Sequence, residues 1–353
     1  MSIGDEYSYR NGDHGLRLGF LGVGWIGRHR MKAILDTGLV GETFICDPSA
    51  EMAQTAAELA RQAKIVPRFD DLLAEPLDGI VIATPSALHA EQTVAALEQG
   101  IAVFCQKPLG RTRTEVEQVI AAARKADRLL HVDLSYRHTK AMSLIRDLVR
   151  KGELGRIFAA DMVFHNAYGP DKPWFYDRRR SGGGCVMDLG IHLADLALWT
   201  LDFPAIAGVQ SCLLRKGAPI PPDSNDVEDF AFATVTLSNG TTLRLACSWG
   251  LHAGRDAVIS ANFHGTDGGA AMWNLNGSFY DFAAERYRGT RTDLLVEPPD
   301  EWGGRAAAAW ATHLARDNRY DPACEGLINS AAVIDAIYAA GSDGTGTYEM
   351  GRY

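Results

Sequence analysis

The sequence predicts a two-part α/β chain: a doubly wound, parallel-sheet domain followed by an α+β domain. Three observations carry this. The 353 residues exceed what a single ordinary core organises, because cores stop growing near ~250–300 residues. Over residues 16–135, short apolar runs alternate with helical stretches of about a dozen residues, the pattern of βαβ units. From about residue 156 the rhythm changes, and strand candidates follow one another with few helices between them.

Taken in order, residues 16–22 read as a short buried strand and 25–38 as a helix. A strand over 42–47 leads into a helix over 49–63, and 69–75 forms a short helix. The strand at 78–85, the helix at 89–100 and the strand at 101–106 follow, with Gly100 as a helix C-cap. A helix over 113–127 and a strand over 129–135 complete the first part. The second part has strands over 156–165, 208–214, 229–237, 242–249 and 257–265, which suggest an antiparallel sheet. Asn239-Gly240 between two of them is a strong hairpin signal. A helix over 184–200 is inserted after the first of these strands, and another spans 324–340. The expected division is a loose tail over 1–15, a first domain over 16–136 and a second over 137–353.

Composition narrows the function classes. An apolar share of 46%, a charged share of 22% and a formal net charge of −9 describe an ordinary globular chain without a basic footprint for nucleic acid. No lysine/arginine block addresses an anionic membrane, and no stretch reads as long and apolar enough to span one. Residues 1–15 lack the apolar core of a signal peptide. The six cysteines (Cys46, Cys105, Cys185, Cys212, Cys247 and Cys324) are scattered without C-x-x-C or metal-type pairing. They read as buried free thiols in a reducing cytoplasm.

Two motifs carry chemistry. Gly22, Gly24 and Gly27 stand in G-x-G-x-x-G order between a strand and a helix. In that context Gly22 permits a tight turn, Gly24 lets a pyrophosphate approach the backbone, and Gly27 brings the helix close to the strand. The helix N-terminus offers amide donors to phosphates. Asp47 ends the next strand, where a carboxylate accepts ribose hydroxyls and repels a 2′-phosphate, favouring NAD over NADP. Thr84-Pro85 and Lys107-Pro108 lie at the carboxyl ends of neighbouring strands, which face the same crevice. The second motif lies on the helix after Gly182–Gly184. There Asp188, His192, Asp195 and Trp199 share one face of an otherwise apolar helix. Buried hydrogen bonding, an Asp/His metal pair and acid–base chemistry all account for such a stripe. No third metal ligand follows nearby, and His192 with Asp188 suits proton transfer near neutrality.

Residues 22–27, 83–110 and 182–202, in that order and spacing, resemble the glucose–fructose oxidoreductase/inositol dehydrogenase (Gfo/Idh/MocA) family over most of the chain. The resemblance implies a Rossmann domain plus a C-terminal domain with a large open, mainly antiparallel sheet, assembled as a homodimer or homotetramer. It implies an NAD(P)-dependent enzyme acting on a sugar, cyclitol or glycoside. Two other functions share the fold: redox-neutral glycoside cleavage with retained NAD, and non-catalytic nucleotide sensing. Carried over by position, Lys107, Asp188 and His192 are the catalytic set. The cofactor-binding set is Gly22, Gly24, Trp25, Ile26, Asp47, Thr84, Pro85, His89, Gln106 and Lys107, and no metal is expected. Candidate substrate contacts are Tyr136, Arg137, His165, Asn166 and Trp174, together with Asp188 and His192. The Arg178–Arg180 triplet reads as a solvated loop or as an anion clamp, and Trp249 and Trp273 as sheet packing. One departure stands out: Gln106 occupies the family's glutamate position. That leaves an acceptor for a ribose hydroxyl while removing an anion beside Lys107, so Gln106→Glu is expected to leave catalysis intact.

Overall fold

The computed structural model describes residues 15–221, 224–342 and 347–349. All of the expected tail except Gly15 lies outside these. Six parallel strands form the first sheet: β1 (Leu16–Leu21), β2 (Val40–Cys46), β3 (Ala63–Ile65), β4 (Gly79–Ile82), β5 (Ala102–Cys105) and β6 (Leu130–Val132). Their order is β3-β2-β1-β4-β5-β6, so the chain changes direction of build between β1 and β4. Ligands bind outside the strand ends at such a switch point. The strands are apolar runs rather than alternating ones because helices cover both faces. All four residues of β4 and all four of β5 are buried.

The second sheet comprises β7 (Ile157–Asn166), β8 (Ile206–Arg215), β9 (Ala218–Pro219), β10 (Phe230–Leu237), β11 (Thr242–Ser248), β12 (Ala257–Gly265), β13 (Gly269–Asn274), β14 (Phe282–Arg288), β15 (Arg291–Val296) and β16 (Thr347–Glu349). Its order is β15-β14-β13-β12-β7-β11-β10-β8-β16, with β9 beside β8. The Asn239-Gly240 turn joins β10 to β11 as an antiparallel hairpin. One pair departs from the antiparallel expectation: β7 and β11 run parallel, with Thr242 opposite Ala159. The reason is the helical crossover after β7, which returns the chain to the sheet in the same direction. That crossover is a π-helical turn, Val186–Gly190, continuing into the helix Ile191–Thr200.

The helix Arg305–Arg316 crosses back to the first sheet. Its Trp310 is fully buried beside Phe104, with ring centroids 5.7 Å apart. A side chain at Gly79 would come within 2.8 Å of that indole. Leu327 and Ala331 also join the core under the first sheet. Residues 137–353 therefore contribute to both cores. One segment, Pro322–Gly341, does reach membrane-spanning length and apolarity, with a mean hydropathy of 1.2, against the reading that no stretch does. It is half-buried in the protein, and Val333, Ile334, Ile337 and Ala340 fill the core beneath the second sheet.

Candidate active site

A cavity of about 970 Å³ opens at the carboxyl ends of the first sheet and extends under the second. The glycine turn forms its first wall. Gly22 has φ +80°, and a side chain there would meet the Ala83 carbonyl at 2.7 Å. A side chain on Gly27 would lie 2.2 Å from the Gly22 carbonyl oxygen, so only glycine lets helix Trp25–Leu35 start this close to β1. Gly24 is different: a side chain there would touch nothing within 4 Å. It lines the cavity, and no side chain caps the helix that begins beside it. First-turn amides and open space suit a pyrophosphate. Asp47 accepts from the Val23 amide through Oδ2 and from the Ser49 amide through Oδ1, both at 2.8 Å. Its carboxylate both braces the glycine turn and faces the cavity.

Trp25, Ile26, Thr84, Pro85, His89, Gln106 and Lys107 line the same space. Gly22 shapes the turn without lining it. His89 is a brace: its ring nitrogens lie 2.7 Å from the carbonyls of Pro108 and Thr84. It thereby ties the two strand-end loops together.

Deeper in, Lys107 Nζ donates to Asp188 Oδ1 at 2.5 Å and to the Asp188 carbonyl at 2.8 Å. Trp249 Nε1 donates to Asp188 Oδ2 at 3.1 Å. Both carboxylate oxygens are thus oriented, and Trp249 has a role beyond sheet packing. His192 is buried and lines the cavity, edge-on to Tyr136 at 5.1 Å. Its imidazole has no hydrogen-bond partner among the described residues. Burial holds it well below the ordinary histidine range, and Lys107 and Arg30 add to the effect. A neutral imidazole beside an ammonium suits proton transfer to and from an alcohol.

The stripe on the inserted helix divides. Asp188 lies in the π-helical turn and His192 at the start of the α-helix, and both face the cavity. Asp195 points elsewhere, accepting from Nε and Nη2 of Arg137 and from the Ser330 hydroxyl. Trp199 packs beside Arg146 and Arg137. Arg137 is therefore committed to an ion pair and does not line the cavity, contrary to its expected substrate role. His165 also lies outside, bonded to Ser248 at 2.7 Å and stacked on Phe230. Tyr136, Asn166 and Trp174 do line it. Asn166 Oδ1 is buried without a partner, an acceptor left unsatisfied beside the cavity. Of the arginine triplet, Arg178 stacks over Tyr338, and none of the three lines the cavity.

The Gln106 oddity acquires a partner. Its amide donates to Asp133, which also accepts from Arg30 Nε at 2.5 Å and from Ser135 at 2.5 Å. Arg30 is 1% exposed and sits 4.9 Å over Trp302. A carboxylate at 106 would face Asp133 across a hydrogen-bond distance, which reverses the expectation for Gln106→Glu. No motif marks Arg30 or Asp133, since the two lie on separate elements far apart in the chain. Glu228 was equally silent: its buried Oε1 accepts from the Gly184 and Val186 amides at 2.9 Å and from Tyr338 at 2.8 Å.

Residues 16–134 match the sequence model described as an oxidoreductase family with an NAD-binding Rossmann fold, and residues 142–271 match the GFO/IDH/MocA C-terminal domain. The chain is 31% identical over 258 residues to 1,5-anhydro-D-fructose reductase of Ensifer adhaerens, covering 71% of this chain and 74% of that one. It is 28% identical over 299 residues to D-glucoside 3-dehydrogenase of Escherichia coli (strain K12), covering 81% and 78%. Among solved structures, levoglucosan dehydrogenase in complex with NADH and levoglucosan shares the fold with a TM-score of 0.81 at 22% identity. That match covers 96% of this chain and 100% of the other.

Proposed function

The chain belongs to the Gfo/Idh/MocA family of NAD(P)-dependent oxidoreductases, and on that premise we propose that it interconverts a secondary alcohol and a ketone on a sugar, cyclitol or glycoside, with NAD favoured. The observation that carries the reading is the single cavity in which the open glycine turn and Asp47 meet Lys107, Asp188 and His192. The names of the relatives, a glucoside dehydrogenase and an anhydrofructose reductase, support carbohydrate as the substrate class.

When bound, the nicotinamide supplies the two-electron acceptor or donor. The protein supplies the rest. Gly24 and the first-turn amides of helix Trp25–Leu35 hold the pyrophosphate, and Asp47 receives the ribose hydroxyls. Lys107, fixed by Asp188, donates to the reacting oxygen and stabilises charge growing there. His192, kept neutral, takes the hydroxyl proton during oxidation and returns it during reduction. Asn166 Oδ1 and the Trp174 ring receive the remaining hydroxyls and the apolar face of the sugar. The six free thiols support a reducing, cytoplasmic setting. Exposed Phe158, Phe232 and Leu294 on the second sheet support self-association.

The test is a screen of the purified enzyme with NAD⁺ and NADP⁺ against inositols, aldoses, glycosides and uronates, following cofactor reduction. Stoichiometric keto-sugar and NADH are expected. Glycoside cleavage without net cofactor turnover would replace this reading with elimination chemistry, and silence across the panel would overturn it.

A further inference from the structure

We propose that the chain carries a second site, remote from the cavity, in which His131, His313 and Asp321 bind one divalent transition ion of the zinc type. The three residues come from three elements: strand β6, the helix Arg305–Arg316 and the turn that opens Pro322–Glu325. One ligand atom from each lies within 4.8 Å of the other two. The imidazoles meet edge-to-face with centroids 5.4 Å apart. Neither has a hydrogen-bond partner among the described residues, although both are half-buried. Asp321 uses Oδ1 to accept from the Ala323 amide at 2.9 Å, leaving Oδ2 for a ligand.

Two imidazoles and one carboxylate on separate, anchored segments form a donor set for zinc, nickel or copper rather than for calcium or magnesium, which take oxygen shells. Water would complete the coordination. Arg137, the fixed cation that acts on His131, is already neutralised by Asp195.

The place in the fold gives the ion a task. Around the three residues, the returning segment is fastened to the edge of the first sheet. The Leu129 amide donates to Asn318, the Tyr320 amide to Asp127, and Arg124 pairs with Glu325. An ion would join the same surfaces by coordinate bonds. It would also fix β6 just before Asp133, the residue that holds Arg30 and Gln106 in the cavity wall.

The experiment uses the tag-free, EDTA-treated full chain and ZnCl₂ alone as the probe. Calorimetric titration and native mass spectrometry should give one zinc per chain. His131→Ala and His313→Ala should each weaken binding at least about tenfold while retaining NAD binding, and Asp321→Asn should weaken it less. Zinc should raise the thermal midpoint of the wild type and leave that of His313→Ala unchanged. Cobalt should give a visible spectrum without a thiolate charge-transfer band, separating this site from the cysteines. Absence of saturable binding, or binding untouched by both histidine substitutions, would overturn the proposal.

Discussion

Gln106 lines the cavity beside Lys107, and its uncharged amide decides how the cavity wall is wired. Asp133 collects donors from Arg30, Gln106 and Ser135, so a second carboxylate at 106 would replace a donor with a like charge. Gln106→Glu should destabilise the fold by about 1–3 kcal/mol and raise a carboxyl pKa in the pair. Adding Asp133→Asn should not restore the wild type, because Arg30 then depends on the new glutamate. Thermal unfolding and turnover of both variants check this, and a fully active, fully stable Gln106→Glu sinks it. His192 sets a second expectation. Because burial, Lys107 and Arg30 depress it, oxidation should persist below pH 6.5, where an ordinary histidine is already protonated. A pH profile of kcat/KM with an acidic limb at or above 6.5 would contradict that. At this scale the sequence was informative wherever chemistry sits in a motif, as with Lys107 and His192. It was uninformative about Asn166's orphan oxygen or about the Trp249 bond to Asp188, which joins residues 61 positions apart in the chain.

The inserted crossover shows how an element aims a side chain. Residues 184–200 read as one helix, and they do form one, but with a π-helical turn over Val186–Gly190. That turn places Asp188 over Lys107, with Glu228 anchoring its entry through the Gly184 and Val186 amides. A side chain on Gly184 would lie 1.9 Å from the Glu228 carbonyl oxygen. Gly184→Ala should therefore shift the turn, cost about 1–3 kcal/mol and lower turnover more than it weakens NAD binding. Wild-type kinetics in a folded Gly184→Ala would show that the turn tolerates displacement. The strands β1, β4, β5 and β10–β12 were legible because their apolar runs or alternation are clean. The strands β13–β15 were not: Ala270, Ala271 and Met272 are consecutively buried, and β14 continues as Phe282-Ala-Ala-Glu-Arg, so neither run keeps a strict two-residue period. Helix Arg305–Arg316 was hidden by its alanines. Only Trp310 and Leu314 mark its buried face as strongly apolar.

Across the whole molecule, six of the ten histidines are pushed below their ordinary range with burial as the leading cause: His29, His89, His131, His138, His165 and His192. The unfolded chain therefore binds more protons than the folded one between about pH 6.5 and the lowered values. Stability that is fully present above pH 6.5 should fall as the pH drops through that window, before most carboxylates titrate. Urea unfolding at pH 7.5 and 5.5 should show the decline, and equal stability at both would refute it. The two-part architecture was readable because alternation and then succession of strands persist over long stretches. The return of the last third to the first core was not readable, since nothing in residues 305–331 names the surface they cover.

That return has a consequence in time. Leu18, Phe104 and Trp310 belong to one core, but a ribosome makes Trp310 long after Phe104. At about 5–20 residues per second, the first sheet waits roughly 10–40 s for the helix that closes its face. During that interval the nascent chain displays an apolar surface whose own cover has yet to be synthesised. The enzyme's need for a holding chaperone should accordingly be greatest mid-translation, and slowing elongation between the two halves should lower its yield.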